Sequence, residues 1–138
     1  MKTQDFVAID FETMTPELTS ACAIGLVRVY NGIISQKFYS LIKPIPDSRT
    51  ERNTHVHGLT DEMVADAPTF PELFPLLKSF IEDLPIVCHN SSTDINVFKV
   101  CMEYYGLTGI DLSHYVDTLE LYGKGLKACC EENGILLV

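Results

Sequence analysis

No stretch of this sequence approaches the roughly 18 consecutive apolar residues that a membrane-spanning helix needs, so no span is expected. Its first residues, Met1-Lys2-Thr3-Gln4-Asp5, lack the apolar run of a secretory signal, and the chain reads as cytoplasmic. Paired cysteines are missing too. Cys22, Cys88, Cys101, Cys129 and Cys130 form no C-x-x-C, which argues against a zinc site, and their odd number describes no disulfide framework. They are expected to pack as small apolar side chains. Positive charge is scarce: 10 Lys and Arg against 19 Asp and Glu give a formal charge of −9. A general nucleic-acid coat needs a basic stripe, so that class is excluded. An enzyme that holds one strand end through bound cations is not, because clustered carboxylates are what such cations require. Repeats, low-complexity tracts and linkers are absent, and 138 residues suit one domain around one core.

What is present is a readable order of elements. Phe6–Phe11 is an apolar, β-branched and aromatic run that predicts a buried strand. Cys22–Tyr30 predicts a second strand, Asn31-Gly32 a tight hairpin turn, and Ile33–Ile42 the returning strand, ended by Lys43-Pro44-Ile45-Pro46. Arg49–Gly58 reads as irregular, and Thr60 as the cap of a helix start at Asp61–Val64. In Thr69–Asp83, Phe70, Leu73, Phe74, Leu77, Phe80 and Ile81 have helical spacing, and Thr69 with Glu72 forms a capping box. Pro75 conflicts with that helix: it should kink it or mark where regular helix begins. Pro85–His89 predicts a short strand, Ser92–Tyr105 a helix ended by Gly106, and Tyr115–Asp117 a last short strand. A helix then begins at Leu119–Tyr122 and resumes over Leu126–Asn133. The order β-β-β-α-β-α-β-α predicts an α/β fold. Its mixed sheet is a three-strand antiparallel meander plus two parallel strands, flanked by helices. Ligands of such sheets sit at the carboxyl ends of strands.

Asp10-Phe11-Glu12 lies at such an end. Strand side chains alternate, so Asp10 and Glu12 share one face and Phe11 takes the other. Two adjacent carboxylates repel unless solvent or a cation separates them, and a divalent ion with a preference for oxygen would bridge them. Read alone, the tripeptide is equally an exposed acidic strand end. Asp94, four residues beyond Asn90, falls in the first turn of a helix. By itself it is a helix-start carboxylate, and Asn90 a turn former.

Together these segments resemble a known family. Val7-Ala8-Ile9-Asp10-Phe11-Glu12-Thr13 is similar to the first motif of the DEDDh 3′→5′ exonucleases. Their members include the proofreading epsilon subunit of the bacterial replicative polymerase. His89-Asn90-Ser91-Ser92-Thr93-Asp94 resembles the second motif, with Thr93 where the family usually has Phe. Ser20–Gly25, His57–Thr60 and Asp117-Thr118-Leu119 match further family segments in order. The resemblance implies a ribonuclease-H-like fold. It also implies two Mg²⁺ or Mn²⁺ ions held by Asp10, Glu12 and Asp94, the same three residues being catalytic, and hydrolysis of the terminal phosphodiester of a DNA or RNA 3′ end. Phe11, Thr13, Asn90 and His57 would bind the substrate, and a DNA polymerase subunit is an implied partner.

One family element has no counterpart. The third motif, H-x-A-x-x-D, supplies a general base and a metal ligand, and no such pattern occurs. The sequence is expected to stop before the last catalytic helix, leaving a sheet face open to dimerisation. As replacements for that general base, His55, His57, His89 and His114 are not expected to serve; a structural or surface role is expected of each instead of catalysis. Three functions compete: a two-metal exonuclease, a catalytically incomplete exonuclease-like domain that binds nucleic-acid ends or a protein partner, and an acidic interaction domain.

Overall fold

The computed structural model describes residues 5–15, 17–45, 61–113 and 115–119. The expectations for Arg49–Gly58, Thr60, the helices after Leu119, His55, His57, His114, Cys129 and Cys130 lie outside these residues.

Strand β1 (Phe6–Thr13) occupies the middle of a five-stranded sheet. β2 (Ala21–Tyr30) and β3 (Ile33–Leu41) extend it antiparallel on one side. β4 (Ile86–Cys88) and β5 (Tyr115–Asp117) continue it in parallel on the other, in the order β3-β2-β1-β4-β5. The helices are α1 (Asp61–Ala65), α2 (Phe70–Ile81) and α3 (Asp94–Tyr105), with a 3-10 turn at Leu18–Ser20. This is the mixed α/β sheet with flanking helices that the element order predicts. The Asn31-Gly32 turn has both residues at positive φ, 53° and 76°, the geometry that matches the twist of the flanking strands.

Alternation along β1 sets the layers. Val7, Ile9 and Phe11 are buried, while Asp10 on the other face is exposed. The buried face meets α2 and α3 in an apolar core that also takes Ile24 and Leu26 of β2 and Ile86 of β4. Phe70 stands edge-on to Phe98 at 5.8 Å, and Phe98 in turn to Phe11 at 5.7 Å, so one aromatic chain ties α2, α3 and β1. Cys22, Cys88 and Cys101 are buried thiols, as their apolar role requires.

Helix α2 carries its apolar residues where the spacing put them: Phe70, Leu73, Phe74, Leu77, Phe80 and Ile81 are all buried. The helix starts at Phe70, so Pro75 does not mark its beginning; it sits inside. Proline removes one helical hydrogen bond there, and the buried stripe on both sides of it offsets the loss. Helix α3 begins at Asp94, two residues later than expected, and ends at Gly106, whose φ of 65° is the left-handed value that glycine adopts without strain.

At the start of α2 the Glu72 N–H donates to Thr69 Oγ1 (3.4 Å), and the Thr69 N–H donates to Glu72 Oε1 (3.3 Å). Both bonds are long and exposed, which puts the cap at the weak end of its range. Thr69→Ala is expected to cost about 0.5–1 kcal/mol, read as a lower urea midpoint with an unchanged slope.

Candidate functional site

The site begins with a mismatch of strand lengths. β1 pairs with β4 only through Val7↔Ile86 and Ala8↔Val87. The Val7 N–H donates toward β4, to the Pro85 carbonyl at 3.0 Å, so by alternation the Phe11 N–H faces the same side. β4 ends at Cys88 and offers it no partner strand. A buried amide without an acceptor is costly. Asp94 supplies the acceptor: the Phe11 N–H donates to its Oδ1 at 3.0 Å. Asp94 is the first residue of α3 and only 4% exposed. Thr93 in place of the family's Phe therefore leaves no opening behind it.

Burial pushes the Asp94 carboxyl up to about 7. The hydrogen bond from Phe11 opposes this, the nearby Asp10 carboxylate adds to it, a bond from the His89 backbone opposes it, and Asp117 adds to it. At neutral pH the group is about half protonated.

The loop between β4 and α3 is held by a second carboxylate, to which the sequence reading gave no role. Asp117, at the end of β5, accepts from the N–H groups of Asn90 (3.0 Å), Ser91 (2.7 Å) and Leu119 (2.9 Å). Burial acts to raise its carboxyl, but these donors outweigh burial and hold it at about 2. The bond to Leu119, two residues on, is the pattern of an Asp that caps a helix start. That signal was available in Asp117-Thr118-Leu119. Asn90, at φ 113°, turns the chain so that its carbonyl accepts from the N–H groups of Thr93 and Asp94. The Thr118 hydroxyl donates to the Cys88 carbonyl, which leaves its oxygen to accept from His89 Nδ1. His89 then carries its proton on Nδ1, and the buried Nε2 has no hydrogen-bond partner among the described residues.

Asp10 and Glu12 lie side by side on the opposite face from Phe11, Asp10 exposed and Glu12 half-buried. The Asp10 carboxyl is raised by partial burial against the sheet and then by the Glu12 charge, although the residue's surface is open. Phe11 does not turn its ring to the site: the side chain is buried against Phe98, so only its backbone borders the crevice. Thr13 and Asn90 are half-buried at its rim.

This arrangement corrects the metal reading. Among the described residues, no group of three or more His, Cys, Asp or Glu side chains is placed to hold a metal ion. The physical reason is Asp94. Asp94 is buried and turns Oδ1 to the Phe11 amide, and the described residues gather no third ligand around Asp10 and Glu12. The described residues do not fit two Mg²⁺ or Mn²⁺ ions, and two-metal hydrolysis is not supported by them.

Comparison with known proteins gives a consistent picture. A family model described as Exonuclease matches residues 7–135. DNA polymerase III PolC-type of Thermotoga maritima is 31% identical over 125 residues, 88% of this chain and 9% of that protein. The Staphylococcus saprophyticus PolC-type polymerase is 32% identical over 147 aligned residues, 99% of this chain and 10% of that protein. The chain thus spans about a tenth of the length of these relatives. Among solved structures, the nuclease domain of 3′hExo, a DEDDh family member bound to rAMP, has a TM-score of 0.72 at 16% identity, covering 96% of this chain and 80% of that one. Exonuclease X in complex with 5′ overhanging duplex DNA has a TM-score of 0.67 at 22% identity, covering 96% and 75%. At these identities the likeness is one of fold, ribonuclease-H-like as the resemblance implied.

The raised Asp94 carboxyl makes a stability prediction with a definite sign. Unfolded, the group titrates near 3.8; folded, near 7. The fold favours the protonated form, so its contribution is complete below about pH 4 and is lost as pH rises through 7. Asp94→Asn keeps an oxygen for the Phe11 amide and cannot ionise. Relative to the unaltered chain, the variant should therefore gain on the order of 1–4 kcal/mol between pH 4 and pH 8 in urea denaturation. Parallel pH profiles would show that Asp94 ionises as freely folded as unfolded.

Proposed function

This chain belongs to the DEDDh-type 3′→5′ exonuclease family, and on that premise we propose that it is a catalytically incomplete exonuclease domain that binds the 3′ ends of nucleic acid without cutting them. The observation that carries this reading is the Phe11–Asp94 hydrogen bond. It holds Asp94 against the backbone at the carboxyl end of β1, where the described residues form no metal-holding group of three. The crevice is where a ligand of such a sheet would enter. Relatives of the same fold are known in complex with DNA or with a nucleotide, which supports a nucleic-acid end as the ligand. The polymerase relatives favour DNA over RNA, and a polymerase as the setting in which the end is presented.

In this reading the backbone at Phe11 and Thr13 borders the terminal nucleotide, and Asn90 fixes the loop that forms the other wall.

The test pairs binding with cleavage. A 5′-labelled single-stranded DNA is incubated with the 138-residue chain and Mn²⁺, beside Asp10→Ala. The expected result is a mobility shift, weaker for a circular strand that has no end, with no shortening of the label. A ladder shortened from the 3′ end and absent with Asp10→Ala would overturn the incomplete reading. Equal affinity for linear and circular strands would overturn end recognition.

A further inference from the structure

The acidic balance of the chain is not spread evenly. Between Glu17 and Asp47 there is no Asp or Glu, while Arg28, Lys37 and Lys43 all fall there. The β2–β3 hairpin is thus a cationic island in a chain of charge −9. Arg28 is spent on packing: its guanidinium lies 4.7 Å from the Phe80 ring centre. Lys37 and Lys43 are exposed.

Sheet register places this island beside the crevice. Asp10 pairs with Gly25, and Gly25 with Tyr39. Ala8 pairs with Val27, and Val27 with Lys37. Directly opposed residues of an antiparallel sheet share a face, so Tyr39 and Lys37 stand on the same face as Asp10 and Glu12. Phe38 between them turns inward and packs near Phe80 at 6.4 Å, which commits its neighbours to the outer face. Tyr39 is 63% exposed. Two strand spacings put it about 10 Å from Asp10. The floor between them is Gly25, where even an added Cβ would lie 4.0 Å from both the Tyr39 ring and the Asp10 carbonyl. No side chain therefore separates the ring from the carboxylate pair. Burial, the Cys22 thiol and the Glu12 charge all raise the Tyr39 phenol.

We propose that Tyr39, Gly25 and Lys37 form a binding track for single-stranded nucleic acid leading to the crevice, with a base stacked on Tyr39 and a phosphate held by Lys37. This rests on the nucleic-acid reading above and deepens it. An exposed aromatic beside lysine, on an acid-free hairpin, is the combination that binds single strands without sequence preference: the ring meets any base, and the cation meets the backbone. The glycine floor lets a flat base approach the sheet.

The test is fluorescence anisotropy of a 5′-fluorescein oligothymidylate with the 138-residue chain and three variants, each checked by thermal melting. Tyr39→Ala is expected to weaken binding about 5-fold or more, while Tyr39→Phe, which keeps a stacking ring, retains it. Lys37→Ala should reduce the slope of log affinity against log salt by about 0.7. Unchanged affinity for Tyr39→Ala, with the unaltered chain binding normally, overturns the track and leaves end binding standing. No binding by the unaltered chain removes both. Sedimentation supplies the other arm: if Tyr39→Ala splits a dimer without affecting anisotropy, the hairpin is an interface between copies, and the track is wrong.

Discussion

One hydrogen bond, from the Phe11 amide to the Asp94 carboxylate, decides what this molecule can be. It exists because β1 continues past the end of β4, which exposes a backbone donor in the middle of a sheet. The donor must be satisfied. A side chain at the start of α3 reaches it, and in doing so fixes the direction in which that helix leaves the sheet. The fold needs this bond, and it commits the carboxylate to the backbone. A group held this way, 4% exposed and close to Asp10 and Asp117, resists ionisation.

The contrast with Asp117 shows that burial alone does not set the chemistry. Both carboxylates are buried, Asp94 where the loop enters α3 and Asp117 at the end of β5, hydrogen-bonded to that loop. Asp117 accepts from three amides and stays ionised, whereas Asp94 has fewer donors for its charge and shifts the other way. The loop from His89 to Thr93 is shaped by this asymmetry: Asp117 gathers its amides from one side, and Asn90 turns it back toward α3 on the other.

The same separation of roles runs through the charges. The face of β1 that carries Val7, Ile9 and Phe11 packs against α2 and α3, while Asp10 on the other is exposed. On that outer face the carboxylates and the acid-free hairpin are neighbours, joined by a glycine.

Much of the fold was legible because it is local. The hairpin at Asn31-Gly32, the capping box at Thr69 and Glu72, the stripe from Phe70 to Ile81 and the stop at Gly106 each depend on residues a few positions apart. Alternation placed Asp10 and Glu12 on one face and Phe11 on the other. The ring of Phe11, expected at the substrate, went to the core for that same reason, and the cap at Asp117 passed unread although its signal was local. By itself the sequence determined the elements, the core and the two-carboxylate strand end. Only the tertiary structure showed that Asp94 accepts a hydrogen bond from the Phe11 amide and that the described residues form no metal-holding group of three. That bond joins residues 83 positions apart, and it depends on where a three-residue strand happens to stop.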